Sequence, residues 1–186
     1  MKLKYNKTYW DTYYDGKYEN TYKYFFHFGE FLDLYKNVFN ELPTSFADIG
    51  CGPGQTLVEA QKYLPDAKIY GVEIQAIPKE RQVFPHIIFG DFLQNYRYLY
   101  KVDYLYVANS MYIDWENQEE FIFSCVNLTN KAVYFANIYL EDGIWIPNDI
   151  LRRTIYRDRK GFQQVMESLG LIKKSEEHDF FVKPIK

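Results

Sequence analysis

Asp48-Ile49-Gly50-Cys51-Gly52-Pro53-Gly54-Gln55 is the stretch on which the reading of this chain turns. The apolar run Ser45-Phe46-Ala47 leads into it, and Thr56 to Leu64 leave it with helical spacing. The order is therefore strand, glycine loop, helix. Glycines let the backbone turn tightly and approach a ligand closely. The helix that follows presents free N–H groups and a positive dipole end, which suit a carboxylate or a phosphate. Dinucleotide binders use a similar loop, but their third glycine falls one position later, where this chain has Gln55. The spacing here is GxGxG, which a plain turn also satisfies, so its weight depends on the strand ends that follow.

Outward from the loop, short apolar runs alternate with helical stretches. They predict strands at 45–49, 68–73, 86–89, 102–108 and 131–138, with helices at 54–64, at a Pro-interrupted 76–83, at 92–98 and at 115–127. Such alternation predicts an α/β fold: a Rossmann-like, doubly wound, mostly parallel sheet with right-handed crossovers. The tail departs from it. A helix over 159–169 ends at Gly170, and 171–177 and 180–184 read as two adjacent strands, a closing C-terminal antiparallel hairpin. Upstream, Phe31, Leu32, Leu34, Tyr35, Val38 and Phe39 recur at helical spacing over 30–40 until Pro43 closes the segment. Residues 1–29 read as an aromatic N-terminal arm or lid, and 30–186 as one Rossmann-like domain.

The bulk numbers narrow the function. At 186 residues and 47% hydrophobic content, the chain makes one domain with a sizeable core and leaves no room for a second substrate domain. Its 19 Tyr, 15 Phe and 3 Trp make ring surface the natural material of both core and pocket walls. A formal net charge of -3 makes nucleic acid an unexpected partner, and Arg152, Arg153, Arg157, Arg159 and Lys160 read as a solvated face before a binding patch. Cys51 and Cys125 form no CxxC pair, and three scattered histidines suggest no metal site. Cys51 reads as a small residue packed in a turn, without a nucleophilic role. No apolar run approaches the ~20 residues of a membrane span, and the N-terminus lacks a signal-peptide core. A cytoplasmic location with no membrane partner is the expectation.

The strand ends supply the chemistry. Tyr70-Gly71-Val72-Glu73 ends in a carboxylate placed to accept hydrogen bonds from ribose hydroxyls at the switch point of the sheet. Phe89-Gly90-Asp91-Phe92 ends the third strand in a carboxylate for an adenine amino group, beside a ring for the base. Loop, Glu73 and Asp91 follow in the order that adenosine recognition needs.

The series DIGCGPG, GVE, GDF and Tyr104-Leu105-Tyr106-Val107-Ala108-Asn109 resembles the motifs of the class I S-adenosylmethionine-dependent methyltransferases over residues 45 to about 138. The resemblance implies S-adenosylmethionine as cofactor and a methyl acceptor as partner. It gives the methionine part to Gly50, Gly52 and Gly54, the ribose to Glu73 and the adenine to Asp91, and Asp48, Cys51 and Ile74 complete the surroundings. Within that superfamily, GxGQ, GVE followed by Ile77-Pro78, GDFL and VANSMY are similar to the histone-lysine methyltransferases that lack a SET domain. That narrower likeness implies that Gln55 touches the cofactor, Phe92 packs on adenine and Asn109 stands at the acceptor channel. The chain departs from it in a very short crossover between Glu73 and Asp91.

Asn109-Ser110-Met111-Tyr112 is not the Asn/Asp-Pro-Pro-Tyr/Phe signature of base-methylating enzymes. The expected acceptor is a protein side chain such as lysine, or a small molecule. Methyl transfer needs an acceptor held in line more than it needs a strong base, and Asn109 and Tyr112 are the candidate catalytic residues, with Tyr13 or Tyr14 of the arm as further candidates to orient the acceptor. Asn109 reads equally well as a cap on its own loop. Two other readings stay open: an enzyme that cleaves the cofactor or transfers its aminopropyl arm, for which Asp114 or Glu116 would supply the extra acid, and a non-catalytic S-adenosylmethionine-binding domain.

Overall fold

The computed structural model describes residues 28–74, 76–108, 118–136 and 159–184. In chain order the elements are helix α1 (Phe28–Phe39), β1 (Ser45–Ile49), α2 (Gln55–Tyr63), β2 (Lys68–Glu73), β3 (Ile87–Phe89), α3 (Phe92–Asn95), β4 (Val102–Ala108), α4 (Gln118–Leu128), β5 (Thr129–Ala136), α5 (Arg159–Ser168), β6 (Ile172–Lys173) and β7 (Asp179–Val182). The strands form one sheet in the order β3-β2-β1-β4-β5-β7-β6. β1 to β5 are parallel, and β7 runs antiparallel to both β5 and β6. The expected doubly wound sheet with a C-terminal antiparallel hairpin is what the chain builds.

Every residue of β1 is buried, as a strand covered on both faces must be. One face carries Ala47, Ile49, Leu105, Val107, Val133 and Phe135 against Ile122 and Cys125 of α4 and Phe162 and Met166 of α5. The other carries Phe46, Tyr104, Tyr106 and Tyr134 against Phe28, Phe31 and Tyr35 of α1 and Leu57 and Ala60 of α2. Tyr104 makes this second face specific as well as apolar, because its buried hydroxyl donates to the Phe31 carbonyl at 2.9 Å. This hydrogen bond acts with the ring contacts of Phe28, Phe31 and Tyr35 to set where α1 crosses the sheet.

Several elements differ from the sequence reading: the helix expected over 92–98 is α3 followed by a 3-10 turn, Tyr96–Tyr98, and β5 begins at Thr129 ahead of the expected 131. α1 already includes Phe28 and Gly29, ahead of the expected Glu30, and the Phe28 ring packs edge-on against Phe46. The helix expected over 76–83 is a single 3-10 turn, Lys79–Arg81, flanked by Pro78 on one side and by Pro85 before β3. Proline breaks a helix by lacking an N–H and by clashing with the preceding turn. The strand expected over 171–177 is only Ile172–Lys173, since the polar Ser175-Glu176-Glu177 stretch makes the turn into β7. No helix among the described residues is long and apolar enough to cross a membrane.

Candidate active site

The chain runs from β1 to β2 on one side and later to β4 on the other, so the carboxyl end of β1 lies at the topological switch point of the sheet. The glycine loop occupies that point. Gly50, Gly52 and Gly54 have φ of 81°, 55° and 100°, a left-handed conformation that side chains rarely adopt. The loop is anchored to β2 by its own amides. Gly50 and Cys51 donate to the Val72 carbonyl at 2.8 and 3.2 Å, and Gly52 donates to Glu73 Oε2 at 2.9 Å. A Cβ on Gly54 would stand 2.7 Å from Phe84 Cβ, so this glycine also lets the loop close onto the segment ahead of β3.

Two buried carboxylates sit beneath the loop. Asp48 and Glu73 are 3% and 4% exposed. Burial pushes Asp48 up to about 7, its hydrogen bond with Thr56 pulls the other way, and the nearby Glu73 adds to the rise. The same burial, reinforced by both carboxylates, holds the Cys51 thiol well above its usual range. This is the environment of an inert packed cysteine, as its place in the loop suggests.

α2 begins directly after Gly54 with no acidic residue in its first turn, so its positive end is uncompensated by its own side chains. Gln55 opens the helix, and its Oε1 is buried with no hydrogen-bond partner among the described residues. A buried acceptor of this kind calls for a donor. Loop, helix end and orphaned acceptor together fit a ligand carrying a carboxylate and N–H or O–H donors.

The adenine side is built from a helix cap and an inward-facing ring. Asp91 caps α3, with Oδ1 accepting from the Leu93 amide at 2.9 Å and Oδ2 a longer bond of 3.3 Å from Gln94 Nε2. A carboxylate in a cap retains acceptor capacity, so the cap and an adenine contact are compatible. Phe92 is turned into the core, 6% exposed, with its ring 5.2 Å from Phe121 and 6.0 Å from Tyr96. That packing leaves little ring surface for a base. Ile74 follows Glu73 half-buried. Asn109 and Tyr112 lie outside the described residues, as do Asp114, Glu116, Tyr13 and Tyr14.

Two contributors were not singled out from the sequence. Thr56 reaches back to Asp48, a contact between the first turn of a helix and the preceding strand that no motif marks. Gly71 lies under the loop, where a Cβ would collide with the Cys51 sulfur and come within 2.7 Å of Leu57 Cδ1. A glycine inside a strand is a sign of close approach, so this one was detectable.

By sequence, no protein-family model and no curated protein matches the chain. Solved structures do match by shape. The plantazolicin methyltransferase BamL, in complex with a triazolic desmethylPZN analog and SAH, superposes with a TM-score of 0.59 at 19% identity over 76% of this chain. The chain spans 61% of the length of that protein. Magnesium protoporphyrin IX methyltransferase (ChlM) from Synechocystis PCC 6803, with bound SAM, gives 0.54 at 14% identity over 84% of this chain and 78% of its own. Human N-acetylserotonin methyltransferase (ASMT), in complex with SAM, gives 0.52 at 17% identity over 75% of this chain and 46% of its own.

The fold is the class I S-adenosylmethionine methyltransferase fold. Its strand order, the reversed last strand and the glycine loop after β1 are all present here. The narrower likeness to the non-SET histone-lysine methyltransferases rests on the sequence motifs alone.

Proposed function

We propose that this chain is an S-adenosylmethionine-dependent methyltransferase that holds its cofactor at the switch point. One observation carries the reading: a loop of three positive-φ glycines, tied by the Gly52 amide to the Glu73 carboxylate, at the switch point of a methyltransferase-type sheet. The structural neighbours crystallised with SAH or SAM support it.

The cofactor would supply a methyl group made electrophilic by a sulfonium. The chain's residues bind and orient. The glycine loop and the start of α2 suit the methionine carboxylate, and the buried Gln55 Oε1 offers an acceptor to a cofactor N–H or O–H. Glu73 is placed to accept from the ribose hydroxyls, and Asp91 to accept from the adenine amino group. Asn109 and Tyr112 remain the proposed groups that orient the acceptor, a small molecule or a protein side chain such as lysine. No geometry among the described residues favours cofactor cleavage, aminopropyl transfer or a non-catalytic binding role.

Isothermal titration with S-adenosylmethionine, S-adenosylhomocysteine and NAD tests the reading. The expected result is binding of the two adenosyl compounds without NAD, weakened about tenfold or more in Glu73→Gln, since a hydrogen bond to a charged group contributes roughly 1.5–3 kcal/mol. Asp91→Asn keeps the helix cap and should weaken adenosyl binding by a smaller factor. Binding of NAD alone, or no adenosyl binding, would overturn the reading.

A further inference from the structure

β7 places a histidine at the edge of the sheet where methyl transfer would occur. Asp179, its first residue, pairs with Phe135 near the end of β5, so the turn that precedes β7 emerges at the carboxyl edge of the parallel strands. The glycine loop emerges at the same edge. Side chains alternate along a strand. Phe181 packs on the α4 and α5 face and Phe180 on the α1 and α2 face, so His178 falls on the latter, with Tyr106 and Tyr134. The contact confirms it: His178 Nδ1 lies 3.2 Å from the Tyr134 hydroxyl. The other described histidine, His86, precedes β3 and lies at the opposite end of that strand.

The pair is firmly held. Tyr134 stacks on Tyr106 at 5.6 Å and 16°, and Phe31 of α1 lies 4.5 Å from one ring and 5.1 Å from the other. The His178 amide donates to Ser175 Oγ at 3.1 Å, which fixes the turn. Asp48, Tyr106 and Tyr134 occupy one register row across β1, β4 and β5. Two strand spacings, roughly 10 Å, therefore separate the base of the cofactor loop from Tyr134. A cofactor seated at the loop and an acceptor beside it would fill that interval.

We propose that His178 is the general base that takes the acceptor's proton, so that the acceptor is a neutral O–H or N–H nucleophile. The proposal rests on the methyltransferase reading above. With Nδ1–H donating to Tyr134, the Nε2 lone pair is the basic site. The acceptor's proton passes to Nε2 as the acceptor lone pair forms the bond to the methyl carbon. The pair of the broken carbon–sulfur bond stays on sulfur, and the positive charge moves from sulfonium to imidazolium. Among the described residues His178 meets Tyr134 of β5, and its own turn carries Lys174, Ser175, Glu176 and Glu177. Asp179 faces away and pairs with Lys173 at 3.8 Å.

Proton–nitrogen correlation spectra of the ¹⁵N-histidine-labelled chain, assigned with His178→Gln, test this in the S-adenosylmethionine and S-adenosylhomocysteine complexes. The expected result is a proton on Nδ1 and a free lone pair on Nε2. His178→Gln should keep S-adenosylhomocysteine affinity within about twofold. A proton on Nε2, or lost affinity in His178→Gln, would overturn the proposal. Failure of both compounds to bind would instead bring down the methyltransferase reading on which it rests.

Discussion

The two halves of the carboxyl edge of the sheet are built from different materials. On the β1–β2 side the site is backbone: amides of Gly50, Cys51 and Gly52 bind β2, and two carboxylates lie buried beneath them. On the β4–β5–β7 side it is side chain: Phe31, Tyr106, Tyr134 and His178 lock ring against ring. Backbone grip depends on small residues at fixed spacing and suits a ligand common to many enzymes of one fold. A wall of rings is set residue by residue and suits a ligand that differs from one enzyme to the next.

Because the β1–β2 side buries the Asp48 carboxyl, its stability must depend on pH. Asp48 is raised from 3.8 to about 7. The fold therefore favours its protonated form, and that contribution is complete below about pH 4 and is lost as the pH rises through about 7. A rise of roughly three pH units corresponds to on the order of 4 kcal/mol. Urea unfolding of the ligand-free chain should show a decline over this range that Asp48→Asn abolishes. A decline of equal size in the variant would remove Asp48 as its source.

Close packing beneath the loop predicts a smaller effect. Gly71→Ala drives a methyl group into Cys51 and should cost about 1–3 kcal/mol, the usual range for overpacking. Cys51→Ala in the same chain should restore part of it, and strictly additive losses would show that the two residues do not meet. Smallest is the test of the ring side. Tyr104→Phe removes the hydroxyl that donates to the Phe31 carbonyl and should cost about 1 kcal/mol, leaving S-adenosylhomocysteine affinity unchanged. A matching loss of affinity would mean that the two sides are not independent.

The same contrast explains what the sequence made legible. Glu73 and Asp91 could be placed because parallel strands send all their carboxyl ends to one edge. The glycine spacing separated this loop from a dinucleotide loop for a similar local reason. Phe92 could not be placed, because adjacency to Asp91 says nothing of which way the ring turns once Asp91 caps a helix, and it turned inward to Phe121. His178 was one of three scattered histidines. Its partner Tyr134 lies 44 residues away, across an antiparallel pairing that only the folded sheet creates.

The central claim is that the glycine loop and Glu73 form a cofactor site, and the crystal structure of the chain with S-adenosylhomocysteine tests it most directly. The account predicts the amino-acid part of the ligand along Gly50 to Gly54 and its ribose hydroxyls on the Glu73 carboxylate. Ligand density elsewhere on the molecule, with the loop empty at saturating concentration, would contradict it.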